Sequence, residues 1–236
     1  MIIAANLKTN FTRKETKKYI DELESYMKKK SSTQEVLVFP AMSSLDSHDG
    51  KVIVGTQNAY ATKNGAFTGE IGTEQLDEFE IQTILIGHSE RRHTLGETQD
   101  ELVKKFNFYK DLGFKIVYCV GEPLEIREAG KDKMMSYISS QYDGIDTDYE
   151  NLIIAYEPVW AIGTGLTPTL EDIESIHTQL KEKSKSSLLY GGSVKVTNAK
   201  DVLALNNVDG ILVGSAALYS EHFCTMIDYA DSLENK

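Results

Sequence analysis

Glu157 closes an apolar run, Leu152 to Tyr156, and is followed by Pro158-Val159-Trp160 and then by Ala161-Ile162-Gly163-Thr164-Gly165. A carboxylate at the end of a buried strand, beside a stiff hinge and a small Gly-rich tip, is the arrangement of a general base beneath a lid. A lid is useful where the chemistry must be kept from water. The second group is His88, within Ile86-Gly87-His88-Ser89-Glu90-Arg91-Arg92. A lone histidine is more often structural than catalytic. This one, however, lies between a strand end and a predicted helical turn, where the positive end of the dipole favours the uncharged ring. A neutral imidazole can donate to a carbonyl oxygen and relay protons. In the same motif Glu90 is a partner for Arg91 and also for Lys8, and Arg91 and Arg92 read as supporting residues.

Lys8, in Asn6-Leu7-Lys8 at the end of the first apolar run, is either a snorkelling surface residue or a positioned cation suited to an anionic substrate. Two small-residue loops, Tyr190-Gly191-Gly192-Ser193-Val194 and Val213-Gly214-Ser215-Ala216, follow the seventh and eighth runs. Each alone is a plain turn. As a pair after those two strands they match the place where parallel barrels grip phosphate through backbone N–H groups. A further loop, Asn64-Gly65-Ala66-Phe67-Thr68-Gly69-Glu70, carries a phenylalanine at a Gly-rich tip. It either folds back on its own barrel or docks into a neighbour, and docking is the favoured reading.

These groups need elements to hold them. Eight strand-length runs rich in Val, Ile and Leu recur: Ile2–Leu7, Val36–Pro40, Val52–Thr56, Thr83–Gly87, Lys115–Val120, Leu152–Tyr156, Leu188–Gly191 and Gly210–Gly214. They lack polar alternation, as expected of parallel strands buried on both faces. Helically spaced segments separate them: Glu15–Lys30, Thr98–Leu112, Leu124–Tyr142, Leu170–Lys183, Asn198–Leu205 and Ala216–Leu233. The segments after the second and third strands are weaker. Eight β–α units predict an α/β fold, a closed (β/α)8 barrel of parallel strands with outer helices. A doubly wound open sheet is the alternative, but Asn6-Leu7-Lys8-Thr9-Asn10 is no Gly-rich nucleotide fingerprint. No composition shift marks a boundary, so residues 1–236 are expected to form a single domain.

The chain has 236 residues and a formal net charge of −11, which disfavours nonspecific nucleic-acid binding. An anionic substrate would require a local positive field against that background. No apolar run approaches the ~18 residues of a membrane span, and Met1 to Asn6 lacks the features of a signal peptide. Cys119 and Cys224 are expected to be free thiols. Together these predict a soluble, cytoplasmic protein that binds neither membrane nor nucleic acid.

Asn6-x-Lys8, Gln57-Asn58, the Gly65–Glu70 loop, Gly87-His-Ser-Glu-Arg-Arg92, Tyr156–Gly165 and Tyr190–Val194 together resemble the triosephosphate isomerase family, in that family's order and along essentially the whole chain. The resemblance implies a barrel that forms a homodimer, uses no metal or organic cofactor, and interconverts dihydroxyacetone phosphate and D-glyceraldehyde 3-phosphate in glycolysis, gluconeogenesis and the pentose shunt. It implies Glu157 as the base and His88 as the neutral electrophile, with Ser89 and Glu90 supporting. Asn6 and Lys8 would hold the substrate, and Gly163, Ser193, Gly214 and Ser215 its phosphate. Phe67 and Thr68 would insert into the partner subunit.

Three departures from the family pattern stand out. The C-terminal side of the lid reads Leu166-Thr167-Pro168, and proline fixes its own φ and restrains Thr167. The last phosphate loop reads Gly214-Ser215 rather than Gly-Gly, which is compatible with binding unless position 215 needs a positive φ. The stretch between the Leu170 helix and the Leu188 strand looks trimmed. Cys119 reads as a packing residue. Two competing functions are another phosphate-using barrel enzyme, with a larger substrate, and a noncatalytic phosphosugar-binding barrel. The second would need neither Glu157 nor His88.

Overall fold

The computed structural model describes residues 1–162 and 166–234. Eight parallel strands, β1 (Ile2–Asn6), β2 (Glu35–Phe39), β3 (Ile53–Val54), β4 (Thr83–Ile86), β5 (Lys115–Val120), β6 (Leu152–Tyr156), β7 (Ser187–Tyr190) and β8 (Gly210–Val213), form one sheet ordered β3-β2-β1-β8-β7-β6-β5-β4. The sheet closes through a single parallel bridge, Thr56 to Ile84, with Thr56 N–H donating to the Thr83 carbonyl and Leu85 N–H to the Thr56 carbonyl, each at 2.9 Å. A barrel with helices around it follows, as the alternation of runs predicts.

The helices are α1 (Arg13–Lys30), α2 (Thr73–Glu78), α3 (Gln99–Asp111), α4 (Leu124–Glu128), α5 (Lys131–Ser140), α6 (Leu170–Lys181), α7 (Val196–Leu203) and α8 (Ser220–Glu234). Their starts are written in capping residues. Thr12, Thr98 and Thr169 each accept a backbone N–H three residues on, and Glu15 and Glu101 return the bond to complete capping boxes. Two expectations need correction. No helix follows β2, where only a short turn, Met42–Ser44, forms. The predicted Leu124–Tyr142 helix is two helices, because Gly130 between them takes φ +102°, open to glycine and hostile to a continuing helix.

Alternate residues along each strand face opposite sides, so the core has two compartments. Ile2, Ala4, Leu37, Phe39, Leu85, Val117, Cys119, Ile153, Ala155, Leu189 and Leu212 fill the barrel interior. Ile3, Ala5, Val36, Val38, Ile116, Tyr118, Ile154 and their neighbours pack outward against the helices. The interior leaves the C-terminal strand ends as the place where polar side chains converge. Both cysteines are free and buried. No helix among the described residues is long and apolar enough to cross a membrane.

Candidate active site

A cleft of about 840 Å³ opens at the C-terminal end of the strands, with Asn6, Lys8, His88, Glu157, Ser193, Gly214 and Ser215 among the residues lining it. The sequence-predicted catalytic residues therefore meet in one cavity, although up to 151 positions separate them. Gly163 lies outside the described residues. Ser89 and Glu90 are not among the lining residues but reach two that are, Glu157 and Lys8, and Phe67 and Thr68 lie on a separate exposed loop.

Glu157 follows β6 directly and is buried. Its backbone N–H donates to the Val120 carbonyl at 2.7 Å, which continues the β5–β6 ladder by one residue. Its surroundings are built to touch it. A Cβ on Gly121 would overlap the Glu157 carbonyl oxygen, and one on Gly191 would stand 3.0 Å from Glu157 Cγ. The carboxylate is held at both oxygens. Oε2 accepts the Ser89 backbone N–H at 2.9 Å, and Oε1 lies 3.1 Å from His88 Nε2. The Cys119 thiol adjoins it, and burial first, then the Glu157 carboxylate, holds that thiol well above its ordinary pKa. Cys119 is thus an inert packing group.

The tautomer of His88 follows from its neighbours. The Glu90 backbone N–H donates to His88 Nδ1 at 3.2 Å, so Nδ1 is an acceptor and the ring proton resides on Nε2. The Glu90 carboxylate is farther from Nδ1, at 3.7 Å, too long for a hydrogen bond. That leaves Nε2, 3.1 Å from Glu157 Oε1, as the donor nitrogen of the ring. His88 stands where β4 gives way to a single wide helical turn, Glu90–Thr94. Gly87 makes the corner with φ +77°, and the Arg92 guanidinium clamps it, donating to the Gly87 carbonyl at 2.8 Å and to the Cys119 carbonyl at 3.1 Å.

Lys8 takes the left-handed region, φ +52°, which costs free energy for a residue with a Cβ and is compatible with a functional constraint. Asn6 Oδ1 accepts the Lys8 N–H at 3.0 Å, and the Gln57 side-chain amide donates to the Lys8 carbonyl at 2.8 Å. The ammonium lies 2.5 Å from Glu90 Oε1. Of the two partners open to Glu90, the structure selects Lys8. Arg91 pairs instead with Glu97 at 3.1 Å.

Ser215 begins a short helical turn and is not among the residues with positive φ, so serine fits where glycine was expected. Ser193 precedes α7 in the facing loop, and the amide of Asn198 donates to its carbonyl at 3.0 Å. The first N–H groups of such turns have no partner within the turn, which makes the two loops a natural anion cradle.

One residue escaped the sequence reading. Glu122, two residues past β5, is fully buried. It accepts Tyr156 Oη at 3.1 Å and Trp160 Nε1 at 3.0 Å, and the Arg127 guanidinium lies 3.9 Å away and over the Trp160 ring. Burial raises its pKa, and those hydrogen bonds oppose the rise. Glu122 thereby anchors the Pro158–Trp160 hinge. The signal was present in Gly121-Glu122-Pro123, a carboxylate just beyond an apolar run, as with Glu157.

Comparison with known proteins agrees with this geometry. The family model for triosephosphate isomerase matches residues 1–230. The chain is 71% identical over 236 residues to a triosephosphate isomerase of Sulfurimonas denitrificans, covering all of this chain and 98% of the relative. It is 55% identical over 227 residues to one of Sulfurovum sp. (strain NBC37-1), covering 96% and 99% respectively. It is 52% identical over 229 residues to one of Wolinella succinogenes, also covering 96% and 99%.

Proposed function

Because the chain belongs to the triosephosphate isomerase family, and so interconverts dihydroxyacetone phosphate and D-glyceraldehyde 3-phosphate in glycolysis, we propose that Glu157 and His88 carry the proton transfers. The single observation behind this is the 3.1 Å approach of His88 Nε2 to the buried Glu157 carboxylate at the floor of the cleft.

Starting from the ketose, Glu157 takes a proton from C1. The C–H electron pair becomes the C1–C2 double bond, and the C2 carbonyl pair moves onto oxygen. His88 Nε2–H donates to that oxygen as its charge grows, and Lys8 and Asn6 sit beside it. His88 gives its Nε2 proton to O2 and takes the proton of the C1 hydroxyl in its place; the O1 electron pair then forms the C1 carbonyl as the C1–C2 double-bond pair takes the proton back from Glu157 at C2, which gives the aldose. A positioned base contributes about 10²–10⁴-fold, and fixed donors at the oxyanion commonly contribute more. The substrate must replace the Glu157–His88 contact by inserting its carbonyl between the two. The loops of Ser193 and of Gly214 and Ser215 are proposed to take the phosphate, and Gly163, outside the described residues, would do so from the lid.

Phe67, 41% exposed with its ring tilted against Tyr60 at 4.4 Å between centroids, supports a homodimer in which this loop inserts into the partner. One sheet that takes in every strand supports a single catalytic domain over 1–236. Two free, buried thiols suit a reducing cytoplasm.

The test is isomerisation of glyceraldehyde 3-phosphate by the parent and by Glu157→Gln. Turnover by the parent with a loss of at least about 10³-fold in kcat, at unchanged melting temperature, is expected. A Gln variant within tenfold of the parent rules out Glu157 as the base.

A further inference from the structure

Two lysines line the cleft, and they differ in what holds them. Lys8 is bound to Glu90, so a carboxylate already offsets much of its charge. Lys195 is exposed at the rim, on the residue that caps α7. Its backbone N–H donates to Asn198 Oδ1 at 2.7 Å, which fixes where the side chain leaves the main chain. Its ammonium makes no ion pair among the described residues. It lies two positions beyond Ser193, in the same loop. Tyr219 and His222, with ring centroids 5.0 Å apart, also line the cleft and bring no negative charge. Glu157 is the one carboxylate in the described lining.

The chain carries −11, so a phosphate dianion approaching it meets net repulsion. In a cleft with low-dielectric walls the nearest uncompensated charge dominates the local field, and such fields raise on-rates by about 10–10³. We propose that Lys195 is a positioning residue that draws the substrate's phosphate into the cleft and steadies it against the two small-residue loops, adding an unpaired charge to that of Lys8, which Glu90 partly offsets. The proposal rests on the isomerase reading above.

The experiment compares the parent with Lys195→Gln and Lys195→Arg from about 10 to about 200 mM ionic strength, a range over which the screening length shortens from roughly 30 Å to below 10 Å. At low salt Lys195→Gln is expected to lower kcat/KM about 3–10-fold. The loss lies in KM, with kcat held within about twofold, and it shrinks as salt rises. Inorganic phosphate should inhibit the Gln variant more weakly by a similar factor, and Lys195→Arg should restore parent values. Equal kcat/KM and equal salt dependence in parent and Gln variant overturn the proposal. So does a fall in kcat with KM unchanged, which marks a structural role. A parent that binds inorganic phosphate without turning over trioses fails the isomerase reading instead. Titration calorimetry of phosphate against parent and Lys195→Gln then still decides for or against Lys195.

Discussion

His88 Nε2 and Glu157 Oε1 lie 3.1 Å apart, so the proposed electrophile and the proposed base face each other directly across the cleft floor. Groups in direct contact that serve one reaction act as a unit, and their losses do not multiply. His88→Gln is expected to lower kcat by about 10²–10³-fold. The double variant with Glu157→Gln should fall little below the worse single one. Steady-state kinetics of the four proteins measure this, and a double-variant loss equal to the product of the singles would show that the two residues act independently.

The proposed dimer rests on the Phe67 loop. Phe67→Asp puts a charge into the contact and should remove at least about 2 kcal/mol of association. Sedimentation velocity is expected to show a dimeric parent and a monomeric variant, the variant with sharply lower activity. A parent that sediments as a monomer at micromolar concentration refutes the dimer.

His177 supplies a pH dependence of stability. It is fully buried in α6 between Tyr156 and Tyr190, with Nδ1–H donating to the Asn207 carbonyl at 2.9 Å and Nε2 meeting no hydrogen-bond partner among the described residues. Burial lowers its pKa to about 4. The unfolded chain binds this proton near pH 6.5, and the folded chain resists it until about 4. Its contribution is therefore intact above pH 6.5 and is lost as pH falls from 6.5 towards 4, by about 3 kcal/mol in total. Urea denaturation at pH 7 and pH 4.5 should show a steeper loss for the parent than for His177→Gln. Identical losses would remove His177 as the source.

Pro168, buried at the C-terminal end of the lid segment, is expected to stiffen that hinge. Trp160 is the only tryptophan, and its indole is tied to Glu122, so its fluorescence reports on the opposite hinge. After a temperature jump, Pro168→Ala should relax about two- to fivefold faster, since alanine frees φ where proline fixes it. Equal relaxation rates would dismiss the stiff-hinge idea.

Much of the fold was legible because apolar, β-branched runs buried on both faces have few alternatives to a parallel strand. Lys115–Val120 and Leu152–Tyr156 fall on their predicted bounds. The Leu124–Tyr142 segment misled because its apolar spacing resumes after Gly130, and only the backbone angle at that glycine reveals the break. The meeting of Asn6, Lys8, His88 and Glu157 was legible because each sits at a strand's C-terminal end, where a barrel gathers its polar groups. Glu122 was not, because its burial depends on Tyr156 and Trp160, 34 and 38 positions away. Arg91 pairing with Glu97 rather than with Glu90 also has a local cause, since adjacent residues on a helical turn do not face each other.

The barrel is a hoop fastened unevenly. Five of the seven neighbouring pairs share registers of four or five residues, whereas β2–β3 and β7–β8 share two and the hoop is clasped to β4 by the Thr56–Ile84 bridge alone. The chain leaving that clasp runs straight into the Phe67 loop. Whatever seizes that loop also pulls on the clasp, so a second subunit would act as a buckle, tightening the weakest joint of a ring whose rim carries the proposed chemistry.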